Sequence, residues 1–72
     1  MTDPSLDLCA EAIAITIRRR QISTTSLQRA LYSTGRTVGY GLCALLLARM
    51  EIEGIVGRVD AERRREVLRR LI

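Results

Sequence analysis

At 72 residues the chain has room for one domain, and a chain of this size buries only about 60% of its unfolded surface, so its core is small. Phe, Trp and His are absent, so the core must be built from Leu, Ile, Val, Ala and the two Met, and no imidazole is available as a general base near neutral pH. All twelve basic residues are arginine and the net charge is +4, a bias suited to bidentate contacts with phosphate, guanine or carboxylate, so an acidic partner is expected.

The start of the chain, Met1-Thr2-Asp3-Pro4-Ser5, lacks the basic and apolar regions of a signal peptide. Cys9 and Cys43 stand far apart, with no other thiol or imidazole at metal-ligand spacing. Both read as buried small hydrophobes in a reduced cytosol, and no metal or cofactor is expected. No apolar run approaches the ~18 residues of a membrane span. The expectation is therefore a soluble, cytoplasmic protein with no membrane partner.

Asp3, Pro4 and Ser5 form a helix start, with Asp3 and Asp7 suited to the positive end of the dipole. Leu6, Cys9, Ala10, Ile13 and Ile17 then recur at helical spacing, predicting a first helix over about 5–19. Arg18, Arg19 and Arg20 suit its negative end and read as a solvated cap. Ile22 reads as a single buried strand residue, and Ser23 or Thr24 as the cap of a second helix over about 25–31, with Leu27 and Leu31 inward. Residues 32–37, Tyr-Ser-Thr-Gly-Arg-Thr, make a polar turn. A third helix over about 39–53 ends where Gly54 supplies the left-handed residue that helices favour at their C-termini.

Beyond it, Ile55-Val56-Gly57-Arg58-Val59 and Arg65-Glu66-Val67-Leu68 are β-capable runs around 60–64, which makes a two-stranded wing over about 55–68. A competing pattern exists. Residues 61–72 also read as one amphipathic helix, with i to i+4 charge pairs and an apolar stripe of Val67, Leu68 and Leu71, and local propensity alone favours that helix.

The runs Ile22-Ser23, Ser26-Leu27-Gln28-Arg29-Ala30-Leu31, Val38-Gly39-Tyr40, Met50-Glu51, Glu53-Gly54-Ile55-Val56-Gly57 and Arg65-Glu66-Val67-Leu68 decide for the wing. In this order, with Ala44 and Leu47 between them, they resemble the C-terminal gamma domain of FtsK/SpoIIIE-type DNA translocases over about residues 6–68. The resemblance implies a single winged helix-turn-helix domain over 1–72, mainly α with a small β wing: three helices plus a two-stranded hairpin. It also implies a module that reads short G-rich polarity sequences in duplex DNA, orients a hexameric motor and contacts a recombinase.

The chain departs from that family in two places. The turn at 32–37 is longer than the couple of residues that join the family's second and third helices. Where the family has Asn and Arg just after Gly-Tyr and another Arg three positions on, this chain has Gly41, Leu42 and Leu45. The candidate DNA-binding set is thus Arg29, Arg36, Gly41, Leu42, Leu45, Arg49, Arg63 and Arg64, with the arginines meeting phosphates and the other three at the base-reading positions.

Val38, Leu42, Leu45, Arg49 and Ile52 fall on one helical face, and Tyr40, Ala44, Leu47 and Met50 largely on another. Either the turn or the C-terminal tail covers Leu42 and Leu45, or Val38, Leu42, Leu45 and Ile52 are a protein contact or dimer seam. Two functions stay open. One is a DNA-binding module of duplex DNA, within a motor or as a stand-alone regulator. The other is a protein-interaction module, an adaptor or antagonist of a DNA-bound factor, working through the apolar third helix. An enzyme is not expected: no Walker-type loop is present, and the serines and threonines at 23–26 have no histidine to activate them.

Overall fold

The computed structural model describes residues 4–69. In chain order the elements are α1 (Pro4–Thr16), β1 (Gln21–Ser23), α2 (Thr24–Ser33), α3 (Tyr40–Ile52), β2 (Val56–Val59) and β3 (Arg64–Val67). Asp3 at the expected helix start and Arg70, Leu71 and Ile72 of the competing helix lie outside the described residues, as do the side chains of Pro4, Ser5 and Leu6.

The winged helix-turn-helix is present, and the competing helix over 61–72 is not, because Arg64–Val67 is a strand. Its partner to one side is β2, as a wing requires, with a one-residue irregularity between Val56 and Val59. The two-stranded hairpin is part of a larger sheet, however. β1 pairs with β3 in the register Gln21↔Glu66, Ile22↔Arg65, Ser23↔Arg64, giving a three-stranded antiparallel sheet in the order β1-β3-β2. Ile22 is therefore the centre of a strand rather than a lone residue.

That pairing also shortens the first helix. The Arg20 carbonyl accepts from Val67 N–H at 2.9 Å, so the chain must be extended by residue 20, and the helix gives way after Thr16 with Arg19 N–H bonded to the Thr16 carbonyl at 3.0 Å. The run Ile13, Ile15, Thr16, Ile17 is β-branched and yields readily. On the inner side of α1, Ala12 and Thr16 are fully buried one turn apart, while Ala10, expected inward, is exposed. The Thr16 hydroxyl is satisfied by donating to the Ala12 carbonyl at 2.8 Å.

Ser23 caps α2 through a reciprocal box in which its hydroxyl accepts from Ser26 N–H at 3.1 Å and its own N–H donates to Ser26 Oγ at 2.9 Å. Both α2 and α3 end in the same way. Gly35 and Gly54 take φ of +91° and +76°, and in each case the next residue's N–H reaches back to a carbonyl five positions earlier: Arg36 to Leu31 at 3.0 Å, Ile55 to Met50 at 2.9 Å. Gly35 carries α2 on to Ser33, two residues past the expected end, so the connection to α3 occupies residues 34–39.

Leu27 and Leu31 of α2, Cys43, Leu46, Leu47 and Met50 of α3, and Ile22, Ile55, Val56 and Val67 around the sheet form the core with Ala12. Leu8, Cys9 and Ile13 seal it from α1. Cys43 is buried, which pushes its thiol up from the ordinary range, whereas Cys9 is only half-buried; both are free thiols.

The long α2–α3 connection is tied down on the α1 side. Gln28 Nε2 donates to the Val38 carbonyl at 3.0 Å, and Arg36 pairs with Glu11 on α1. The Thr34 hydroxyl and then the Arg36 guanidinium hold the Glu11 carboxyl below its ordinary value of 4.5. The single Thr34 proton is shared with the Leu31 carbonyl, 2.8 Å away. A carboxyl whose folded pKa is depressed stabilises the fold above its unfolded pKa, and that contribution is lost as pH falls through the folded value. Glu11→Gln is therefore expected to flatten the acid limb of stability below pH 4.5, measured by urea unfolding from pH 6 to 3.

Candidate nucleic-acid interface

At about 100° per residue, α3 divides into two faces. Cys43, Leu46, Leu47 and Met50 face the core. Gly41, Leu45, Ala48 and Ile52, four and three residues apart, form the opposite row, and all are exposed, Leu45 by 67% and Ile52 by 82%. Leu42 borders this row and is 42% exposed. The row has no hydrogen-bonding side chain, so it can touch a thymine methyl but cannot distinguish guanine.

The expectation that the turn covers Leu42 and Leu45 fails, because its polar contacts run to α1 and α2 instead. Val38 does not share their face. It precedes the helix and is half-buried against the core. Of the second group, Leu47 and Met50 are buried, Ala44 is half-buried and Tyr40 is exposed.

Ion pairs separate the arginines. Among the described residues, Arg36, Arg49, Arg64 and Arg65 have carboxylate partners: Glu11, Glu53, Glu62 and Glu51 respectively. Arg65, at 15% exposure, donates from Nη1 to Glu51 at 2.5 Å and to the Gly57 carbonyl at 3.1 Å, so it clamps the wing to α3 and is not free for a ligand. Arg49 and Glu53, 3.6 Å apart, lie beside a groove between α1 and α3 lined by Cys9, Ile13, Leu46 and Met50. Exposed pairs of this kind are worth roughly 0–1 kcal/mol, so Arg49 and Arg64 can exchange their partners for phosphate at little cost. Arg29 and Arg63 are exposed, with no ion pair among the described residues.

The wing tip is built by Asp60, whose Oδ1 accepts from the N–H groups of Glu62 and Arg64, both at 2.9 Å. This turn holds Arg63 at a φ of +63°, an uncommon conformation for a residue other than glycine. It brings Arg63 and Arg64, with Glu62 as the partner of Arg64, to a concave surface shared with Ser23, Thr24 and Thr25 at the start of α2 and Tyr40 at the start of α3. Of the expected set, then, Arg63 and Arg64 converge near the beginning of α3, Arg29 lies on α2, and Arg36 and Arg49 face α1. Tyr40, Thr24 and Thr25 line this surface although none belongs to the expected set. Their places in the Thr24-Thr25-Ser26 cap and in Gly39-Tyr40, at the starts of α2 and α3, were the available signal.

No helix among the described residues is long and apolar enough to cross a membrane. Residues 3–70 match the Ftsk gamma domain family. The chain is similar to the DNA translocase FtsK of Bradyrhizobium diazoefficiens, 44% identical over 62 residues covering 86% of this chain and 7% of that protein. It is likewise similar to the DNA translocase FtsK of Caulobacter vibrioides, 40% identical over 62 residues with the same coverage, 86% and 7%. DNA translocase FtsK 2 of Neisseria meningitidis is 36% identical over 67 residues, 93% of this chain and 6% of that protein. The chain thus spans only about 7% of the length of the curated relatives it matches. No solved structure matches it.

Proposed function

The chain belongs to the Ftsk gamma domain family, and on that premise we propose that it is a duplex-DNA-binding winged helix acting in the cytoplasm as a binding module with no reaction of its own. The observation that carries this reading is the concave surface where the wing-tip arginines, Arg63 and Arg64, meet the starts of α2 and α3. The duplex backbone passes through it, with α3 directed at the major groove and Arg29 reaching a neighbouring phosphate. Its relatives' names make a translocase motor the setting for such a module. A stand-alone regulator uses the same surface.

Each guanidinium that neutralises a phosphate releases counterions, so duplex affinity falls with salt at a log-log slope of about −0.9 per contact. Arg63→Ala with Arg64→Ala is expected to make that slope shallower by roughly one to two units, read by fluorescence anisotropy across salt concentrations.

The apolar row of α3 supports a second reading, in which Leu42, Leu45 and Ile52 seat a protein partner or a second copy of the chain. A monomeric mass by light scattering at high protein concentration counts against the second copy. A dimeric mass that dissociates on adding duplex supports it.

A further inference from the structure

We propose that Arg19 and Arg29 form a second phosphate-gripping patch, continuous with the wing-tip concavity, which extends the DNA footprint over the start of α2. This inference rests on the DNA-binding reading above and deepens it. The two guanidiniums line one shallow concavity with the hydroxyl side chains of Ser23, Thr25, Ser26 and Ser33, and no carboxylate lines it. That distinguishes it from the neighbouring hollow at the outer face of the sheet, where Arg20, Arg58 and Arg64 share the surface with Asp60 and Glu66. An acid-free hollow keeps its positive potential for an incoming anion.

Its backbone is held while its cations are not. Arg19 N–H is bonded to the Thr16 carbonyl at 3.0 Å and the next carbonyl, of Arg20, to Val67 at 2.9 Å, fixing the α1–β1 loop at both ends. Neither Arg19 nor Arg29 has an ion pair among the described residues, and both are exposed. Of the four hydroxyls, that of Ser26 donates to the Ser23 carbonyl and that of Ser33 to the Ala30 carbonyl. The Ser23 hydroxyl is engaged only as an acceptor and the Thr25 hydroxyl has no hydrogen bond among the described residues, so both protons are available to phosphate oxygens. Ser23 and Thr25 also line the wing-tip concavity, so one path for a sugar-phosphate backbone runs from Arg63 and Arg64 to Arg19 and Arg29.

The test measures duplex affinity of the full chain against salt for the wild type and four variants. Arg19→Ala with Arg29→Ala is expected to make the log-log slope shallower by about 1.8, so that the affinity lost between 50 and 200 mM salt shrinks by about tenfold. Arg19→Lys with Arg29→Lys keeps the charge and is expected to keep the slope. Arg19→Ala alone should shift the slope by about 0.9, and Arg69→Ala, removing the same charge from an exposed residue beyond β3, should leave it unchanged. Thermal melts verify that each variant folds; an alanine pair that unfolds leaves the single variants to decide. An unchanged slope in Arg19→Ala, or an equal change in Arg69→Ala, overturns the patch while leaving the DNA-binding reading standing. A wild type that binds no duplex overturns both.

Discussion

Leu47→Ala should lower the melting temperature by roughly 10 to 30 °C, while Ile52→Ala, five residues on along the same helix, should barely move it. Leu47 is 1% exposed and sits among Leu46, Met50 and the other core side chains, so truncation leaves a cavity that costs about 2–5 kcal/mol. A domain this small has a total stability near the lower end of the usual range, about 5 kcal/mol, and each kilocalorie moves its midpoint by roughly 4–8 °C. Ile52, 82% exposed on the opposite row, makes no such contact, and a surface change stays within about 0.5 kcal/mol. Circular dichroism melts of the two variants separate the faces of α3. Similar losses in both would mean that the outer row is buried against something, which is the protein-contact reading.

Gly41→Asn, Leu42→Arg and Leu45→Arg together should confer a preference for G-rich duplex that the wild type lacks. These are the positions at which the resemblance implies base-reading polar residues, and the structure offers room at each. No atom lies within 4 Å of a Cβ built on Gly41, and Leu42 and Leu45 are 42% and 67% exposed, so new guanidinium groups remain in water and the fold is kept. A bidentate arginine–guanine pair discriminates by about 1–3 kcal/mol, so two of them give a preference of about 30-fold to about 10⁴-fold over a scrambled duplex. Competition binding with G-rich and scrambled duplexes measures it. A folded triple variant with no preference would mean that α3 does not enter the major groove.

The fold was largely legible because its decisive signals are local. Gly54 stops α3, and the β-branched Val56 and Val59 bound the strand β2 just after it. The ambiguous stretch at 61–72 was resolved by resemblance, since its propensity favours helix; the strand that forms there is imposed by pairing with β1 and β2 on both sides. The misplaced end of α1 has the same origin. It is set by the contact of Arg20 with Val67, residues remote in sequence. The state of each arginine was beyond the sequence for a related reason. Arg36, Arg64 and Arg65 are distinguished from Arg19, Arg29 and Arg63 only by carboxylates brought to them by the fold or turn, so a run of arginines looks uniformly available until their partners are known. Arg18, Arg19 and Arg20 accordingly read as a helix cap, although they lie in a loop between α1 and β1.

The central claim, that exposed arginines around α2 and the wing grip duplex phosphate, is tested most directly by titrating the wild-type chain with a duplex from low to physiological salt. Arg19, Arg29, Arg63 and Arg64 together predict a log-log slope of about −3 to −4, at about −0.9 per contact. Measurable binding with that slope is the expected result, and no binding to any duplex at low salt would contradict the account.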